Sequence, residues 1–276
     1  MNKTILKVSD LNFYYKDPNF KSIEWINIFK DIDFEIPKKS IIGLVGKSGC
    51  GKTTLGKAIV NYFMFSNLKK NIDYKLEGEI SFFNDNKEFS TLDKKYITSF
   101  NPPPIQMVFQ DPRTSLNMKM NLHSQLKETI LLNNSNLSKT DLEEKIYSLA
   151  KDFKIEKHLK KTPHNLSGGQ RRRFGLAKII SCEPRLIIAD EPVASLDVSI
   201  KQDIMNILFS LKDLDITIII ISHDIALLKK NANFILVMDE GELVEKWDPK
   251  KTPKHSATKA LNQDSSYMNT FIEDLQ

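Results

Sequence analysis

The sequence predicts an α/β protein with three parts: a core sheet of buried, mostly parallel strands, a small antiparallel β-subdomain, and an inserted helical subdomain. Three observations carry this. The runs Ile41–Val45 and Ile216–Ile221, and the apolar strand within Arg185–Pro192, are short and free of alternation, as strands buried on both faces are. The segment Asp31–Ile36 alternates polar and apolar in strict period two, the pattern of a half-buried antiparallel strand. Between Asp111 and Cys182 the pattern turns helical.

Taken in order, Met1–Val8 reads as a first strand with no signal-peptide apolar core, which gives the expectation of a cytosolic protein. With Asp31–Ile36 and Gly78–Phe83 it forms the β-subdomain. After the run Ile41–Val45 comes Gly46-Lys47-Ser48-Gly49-Cys50-Gly51-Lys52-Thr53, which matches a phosphate-binding loop at every fixed position, followed by a helix beginning near Thr54. The glycines let backbone N–H groups turn inward around phosphate oxygens. Lys52 supplies a compact positive charge to the β- and γ-phosphates, and Thr53 a hydroxyl to Mg²⁺, which prefers hard oxygens. Cys50 reads as a small filler.

Further on, Ser138-Lys139-Thr140 starts a helix through Asp141–Ala150, preceded by a polar loop at Asn133–Asn136. At Leu166-Ser167-Gly168-Gly169-Gln170, Ser167 is a good N-cap for an arginine-rich helix. That helix N-terminus would present free N–H groups and positive charge to an anion. Two glycines there cost helix stability by about 1 kcal/mol each, so something must approach that backbone closely. The strand ending in Asp190 and Glu191 delivers two carboxylates, Asp190 to hold Mg²⁺ and Glu191 to polarise the water that attacks the γ-phosphate. The strand Ile216–Ile221 leads to His223, a γ-phosphate contact that would also orient Glu191. Phe234–Met238 and Glu242–Glu245 read as a closing hairpin around Asp239-Glu240-Gly241.

Bulk properties narrow the classes. At 276 residues, 41% hydrophobic and 27% charged, the chain has the composition of an ordinary globular protein. Its longest apolar runs fall far short of the roughly 18 residues a membrane helix needs. Two cysteines, Cys50 and Cys182, make neither a disulfide framework nor a four-thiolate cluster. A net charge of +5 does not imply nucleic-acid binding.

With these residues in place, nearly the whole chain resembles the ATP-binding subunit of an ABC transporter. The resemblance implies a P-loop NTPase (RecA-like) core that binds ATP and Mg²⁺ and hydrolyses ATP. Leu166–Gln170 matches the family signature, which contacts the nucleotide held by a partner subunit. Gln110, after the strand Ile105–Phe109, matches the Q-loop glutamine and joins Thr53 and Asp190 as a Mg²⁺ ligand. Ser195-Leu196-Asp197 matches the D-loop, and His223 the switch histidine. Thr54 completes the nucleotide contacts of the loop. Tyr15 sits where the family has an aromatic that stacks on adenine, with Tyr14 as the neighbouring alternative.

The expected organisation is a first part of the nucleotide-binding core with the β-subdomain over 1–110, a helical subdomain over 111–181, the second part of the core over 182–245 and a tail over 246–276. Met107–Pro112, Ser115-Leu116-Asn117, Pro163-His164-Asn165 and Thr258-Lys259-Ala260-Leu261 resemble the oligopeptide, dipeptide and nickel importer branch. Met118 and His255-Ser256-Ala257 depart from that branch's usual pattern. The tail lacks the cysteine cluster of some members, so the chain resembles the partner subunit without an iron–sulfur centre.

The resemblance therefore implies a heterodimer with a second ABC ATPase. It also implies two integral membrane permease subunits, an extracytoplasmic substrate-binding protein acting indirectly, no nucleic acid, and a peripheral place on the cytoplasmic face of the membrane. The alternatives are an exporter ATPase, against which the tail motif counts, and a non-transport assembly ATPase.

Overall fold

The computed structural model describes residues 3–16, 24–63, 73–85, 87–194 and 196–263, and the statements below concern these. Strands β1 (Thr4–Tyr15) and β2 (Ile26–Pro37) pair antiparallel. Strand β3 (Ile41–Gly46) then leaves for the main sheet, and β4 (Tyr74–Asn84) and β5 (Lys87–Ser90) return to give an antiparallel sheet of order β2-β1-β4-β5. The alternation read over Asp31–Ile36 is the inner face of β2, where Ile32, Phe34 and Ile36 are buried and the residues between them exposed.

The main sheet adds β6 (Ile105–Val108), β7 (Leu186–Asp190), β8 (Thr217–Ile221), β9 (Phe234–Asp239) and β10 (Glu242–Trp247) in the order β10-β9-β3-β8-β7-β6. Its pairings are parallel except that of β10 with β9. Every residue of β3, β7 and β8 is buried, which is why these strands show no alternation. The pleat instead divides their side chains between two apolar cores. Ile187, Ala189, Ile218, Ile220 and Val237 join the helical side, while Leu186, Ile188, Ile219, Ile221 and Leu236 join the antiparallel sheet.

Helix α1 (Lys52–Ile59) packs on the second of these faces; it begins at Lys52, two residues before the sequence expectation, because left-handed Gly51 ends the loop as its N-cap. A short α2 (Lys94–Ser99) precedes β6. The other face carries α3 (Leu122–Asn133), α4 (Lys139–Asp152), α5 (Gly168–Ile180), α6 (Val198–Ser210) and α7 (Ile225–Lys229). Ser138 caps α4 as its sequence predicts, accepting from the Asp141 N–H. The tail segment 256–263 is helical and is tied to the core, since the Glu245 carboxylate of β10 accepts the N–H groups of Lys254 and His255 at 2.9 and 3.0 Å.

Candidate active site

The site lies at the carboxyl ends of the parallel strands, where β3, β7 and β8 release their loops side by side. After β3 the backbone takes positive φ at Gly46, Gly49 and Gly51, and a Cβ on Gly46 would stand 2.1 Å from the Met238 carbonyl oxygen. No other residue fits there without moving β9. Lys47, Ser48 and Gly49 form an exposed tip, Cys50 and Gly51 are buried, and Thr53 and Thr54 are half-buried. Lys52 is only 8% exposed and reaches across its own loop, its Nζ donating to the carbonyls of Gly46 and Lys47, both at 2.8 Å.

At the end of β7 the Asp190 carboxylate accepts from the Thr53 hydroxyl at 2.9 Å, joining this strand to the glycine-rich loop. Burial lifts Asp190 above the ordinary carboxylate range against the Thr53 hydrogen bond, and the neighbouring Glu191 charge adds to the lift while Lys57 and Lys52 oppose it. Glu191 holds a left-handed backbone, φ 45°, with its N–H bonded to the Ile221 carbonyl of β8. Its side-chain Oε1 meets His223 twice, accepting from the backbone N–H at 3.1 Å and lying 2.9 Å from Nδ1. The imidazole is otherwise open to solvent. Thus Thr53 meets Asp190, and Glu191 meets His223.

The segment 166–170 is set apart from these contacts. Ser167 caps α5 in a reciprocal box, its Oγ accepting from the Gln170 N–H at 3.3 Å and its own N–H donating to Gln170 Oε1 at 3.0 Å. Ser167 and Gly168 are exposed, Leu166 and Gly169 buried. The double glycine has a partly internal cause: a Cβ on Gly169 would lie 3.0 Å from Ile200 Cγ2 of α6, whereas Gly168 has nothing nearer than Leu196 at 4.0 Å.

The arginines correct the sequence expectation of a basic face turned to an anion. Arg171 Nη1 donates to the Pro163 carbonyl at 3.4 Å, and Arg173 pairs with Asp203 of α6 at 2.7 Å. Arg172 forks onto the turn after β7, donating to the carbonyls of Glu191, Pro192 and Ala194 at 3.2, 2.5 and 2.7 Å. Its partners are backbone oxygens remote in sequence, so no residue pattern announces this contact. Arg172→Ala should lower unfolding free energy by about 2 kcal/mol, and Arg172→Lys, which lacks the planar fork, should recover only part of that. A urea midpoint unchanged from wild type would count against the clamp.

Tyr15 shares the inward face of Leu11 and Phe13 and packs at the edge of the core beneath the antiparallel sheet. Tyr14 points the other way, its ring 5.6 Å from Lys75 Nζ. The β-subdomain reaches the loop through Ile28, whose carbonyl oxygen would lie 3.1 Å from a Cβ on Gly51. Gln110 follows β6, the neighbour of β7, with an exposed side chain. Leu196 packs against the helical-side core and Asp197 is the exposed N-cap residue of α6, while Ser195 lies outside the described residues.

The fold and these motifs define an ATP-binding cassette. The profile described as "ABC transporter" matches residues 29–194, more than half of the chain, which belongs to that family and so to a class of ATP-hydrolysing proteins. Among its relatives is the oligopeptide transport ATP-binding protein OppF of Haemophilus influenzae, 34% identical over 267 residues, covering 93% of this chain and 76% of that protein. Among solved structures, cbiO1 of Clostridium perfringens, part of the ABC transporter complex cbiONQ, is 26% identical with a TM-score of 0.72 and covers 98% of this chain and 96% of its own. The dimeric ATP-binding cassette MJ0796, bound to ADP and Pi, shares the fold at 23% identity, with a TM-score of 0.71, over 90% of this chain and 100% of its own.

Proposed function

We propose that this chain is the ATP-binding and ATP-hydrolysing subunit of a bacterial importer of oligopeptides or dipeptides, nickel or metal chelates being the other cargo of the same branch. The observation that carries the reading is the pair of contacts Thr53–Asp190 and Glu191–His223, which join the phosphate loop to the ends of β7 and β8.

In this reading residues 46–54 cradle the triphosphate, Lys52 turning from its loop carbonyls to the β- and γ-phosphates, and Tyr15 stacks on adenine. The Thr53 hydroxyl and the Asp190 carboxylate are hard oxygens that already meet, the donor type a small divalent cation prefers. Together with Gln110 they would hold Mg²⁺, which when bound neutralises phosphate charge. Glu191 takes a proton from the attacking water, the His223 backbone N–H keeps the carboxylate aimed, and the imidazole turns its N–H to the transferred phosphoryl group. The second site is built by exchange: Leu166–Gln170 and the Ser195-Leu196-Asp197 segment face the nucleotide of a second ABC ATPase, in a heterodimer.

Among the described residues no helix is long and apolar enough to cross a membrane. Two integral membrane permease subunits would supply the path, docking near Gln110 and the helical region from the cytoplasmic face, with an extracytoplasmic binding protein acting through them. The name of the relative OppF and the Thr258–Leu261 tail motif support import of peptides.

Deleting the gene should reduce uptake of a labelled oligopeptide to background, and the wild-type gene should restore it. Loss of nickel uptake with peptide uptake intact would move the cargo to metal. Both uptakes intact would overturn the import reading.

A further inference from the structure

The capping box at the start of α5 has a third member that the motif does not contain. Gln170 Nε2 lies 3.1 Å from His158 Nε2, in the 3-10 turn Glu156–His158. The donor and acceptor roles follow in sequence. The Ser167 N–H can only donate, so the Gln170 atom facing it is the carbonyl oxygen. The other end of that amide is an NH₂, a donor, so His158 Nε2 must offer its lone pair. The imidazole is therefore neutral, with its proton on Nδ1. That Nδ1 is buried and has no hydrogen-bond partner among the described residues.

We propose that His158 is a positioning residue for the signature segment. By accepting from Gln170 Nε2 it anchors the amide that the Ser167 N–H orients, and so braces the exposed backbone of Ser167 and Gly168. Ile200 fixes the other side of the same turn by packing on Gly169. The first turn of α5 is thus braced from two directions, by a side-chain hydrogen bond and by an apolar contact. This rests on the reading of residues 166–170 as the face shown to a partner's nucleotide.

The test uses the full chain assembled with its natural ATPase partner. His158→Leu keeps the bulk and removes the acceptor; it should lower kcat for ATP hydrolysis about three- to tenfold, the worth of one buried hydrogen bond. ATP affinity of the isolated subunit, read by titration, should stay unchanged because the phosphate loop is not touched. His158→Gln, which can again present an oxygen, should return kcat to within about twofold of wild type. If the leucine variant does not fold, His158→Met replaces it, its sulfur being only a weak acceptor.

Wild-type kcat in the leucine or methionine variant, or a glutamine variant as slow as either, would overturn the positioning role. Ser167→Arg separates this from the parent reading, because it should abolish hydrolysis whatever residue 158 is. If it hydrolyses at the wild-type rate, the reading of the signature segment itself has failed.

Discussion

Replacing Glu191 by glutamine should slow steady-state ATP hydrolysis by about 10² to 10⁴ while leaving ATP binding intact, the range expected for loss of a general base. The amide matches the carboxylate in size and keeps an oxygen for the His223 N–H, so the contact at 3.1 Å survives. The backbone of the turn, held at φ 45° by the Ile221 carbonyl and by Arg172, also has no cause to change. What would disappear is the proton affinity of the group proposed to face the attacking water. Because binding persists and turnover does not, the closed dimer with its partner should accumulate in Mg-ATP and be visible by size-exclusion chromatography. Phosphate release at the wild-type rate would remove Glu191 from the role.

The second large effect is at Lys52. Lys52→Ala should weaken nucleotide binding about 10- to 100-fold, the worth of a charge-assisted hydrogen bond to phosphate. Folding is expected to persist, since α1 begins on Gly51 rather than on the lysine side chain, and alanine is the better helix former at that position. The carbonyls of Gly46 and Lys47, which the ammonium now meets, belong to a loop whose tip is exposed and can turn to water. Titration with a fluorescent ATP analogue measures the loss, and unchanged affinity would contradict the phosphate-loop assignment.

Much of the fold is legible because burial leaves its mark directly on residue choice. The isoleucine-rich runs of β3, β7 and β8 do not alternate because both of their faces are covered, and β2 alternates because one of its faces is not. The glycine-rich loop after β3 is legible for a different reason: the approach of the Met238 carbonyl to Gly46 leaves room for no side chain, so backbone geometry dictates sequence there.

The rest is hidden where contacts run to backbone or across long separations. Arg172 looks like one of three solvated arginines until its fork is seen on the carbonyls of Glu191, Pro192 and Ala194. His158 sits eight residues upstream of Leu166, and nothing in its surroundings marks it. The double glycine calls for a close approach to the backbone, and at Gly169 part of that approach comes from Ile200 of the same chain, which no residue pattern announces. Helix periodicity says which face is apolar, not which neighbour will fill it.

The guanidinium of Arg172 has a mechanical consequence. It grows from the helix whose opening turn would look outward to a sister subunit's nucleotide, and it ends on the peptide oxygen of the residue that would activate water at this subunit's own. Any swing of that helix must either drag the turn along or break the fork. One side chain would then serve as a connecting rod between two cylinders, so that neither chamber fires without the other registering the stroke.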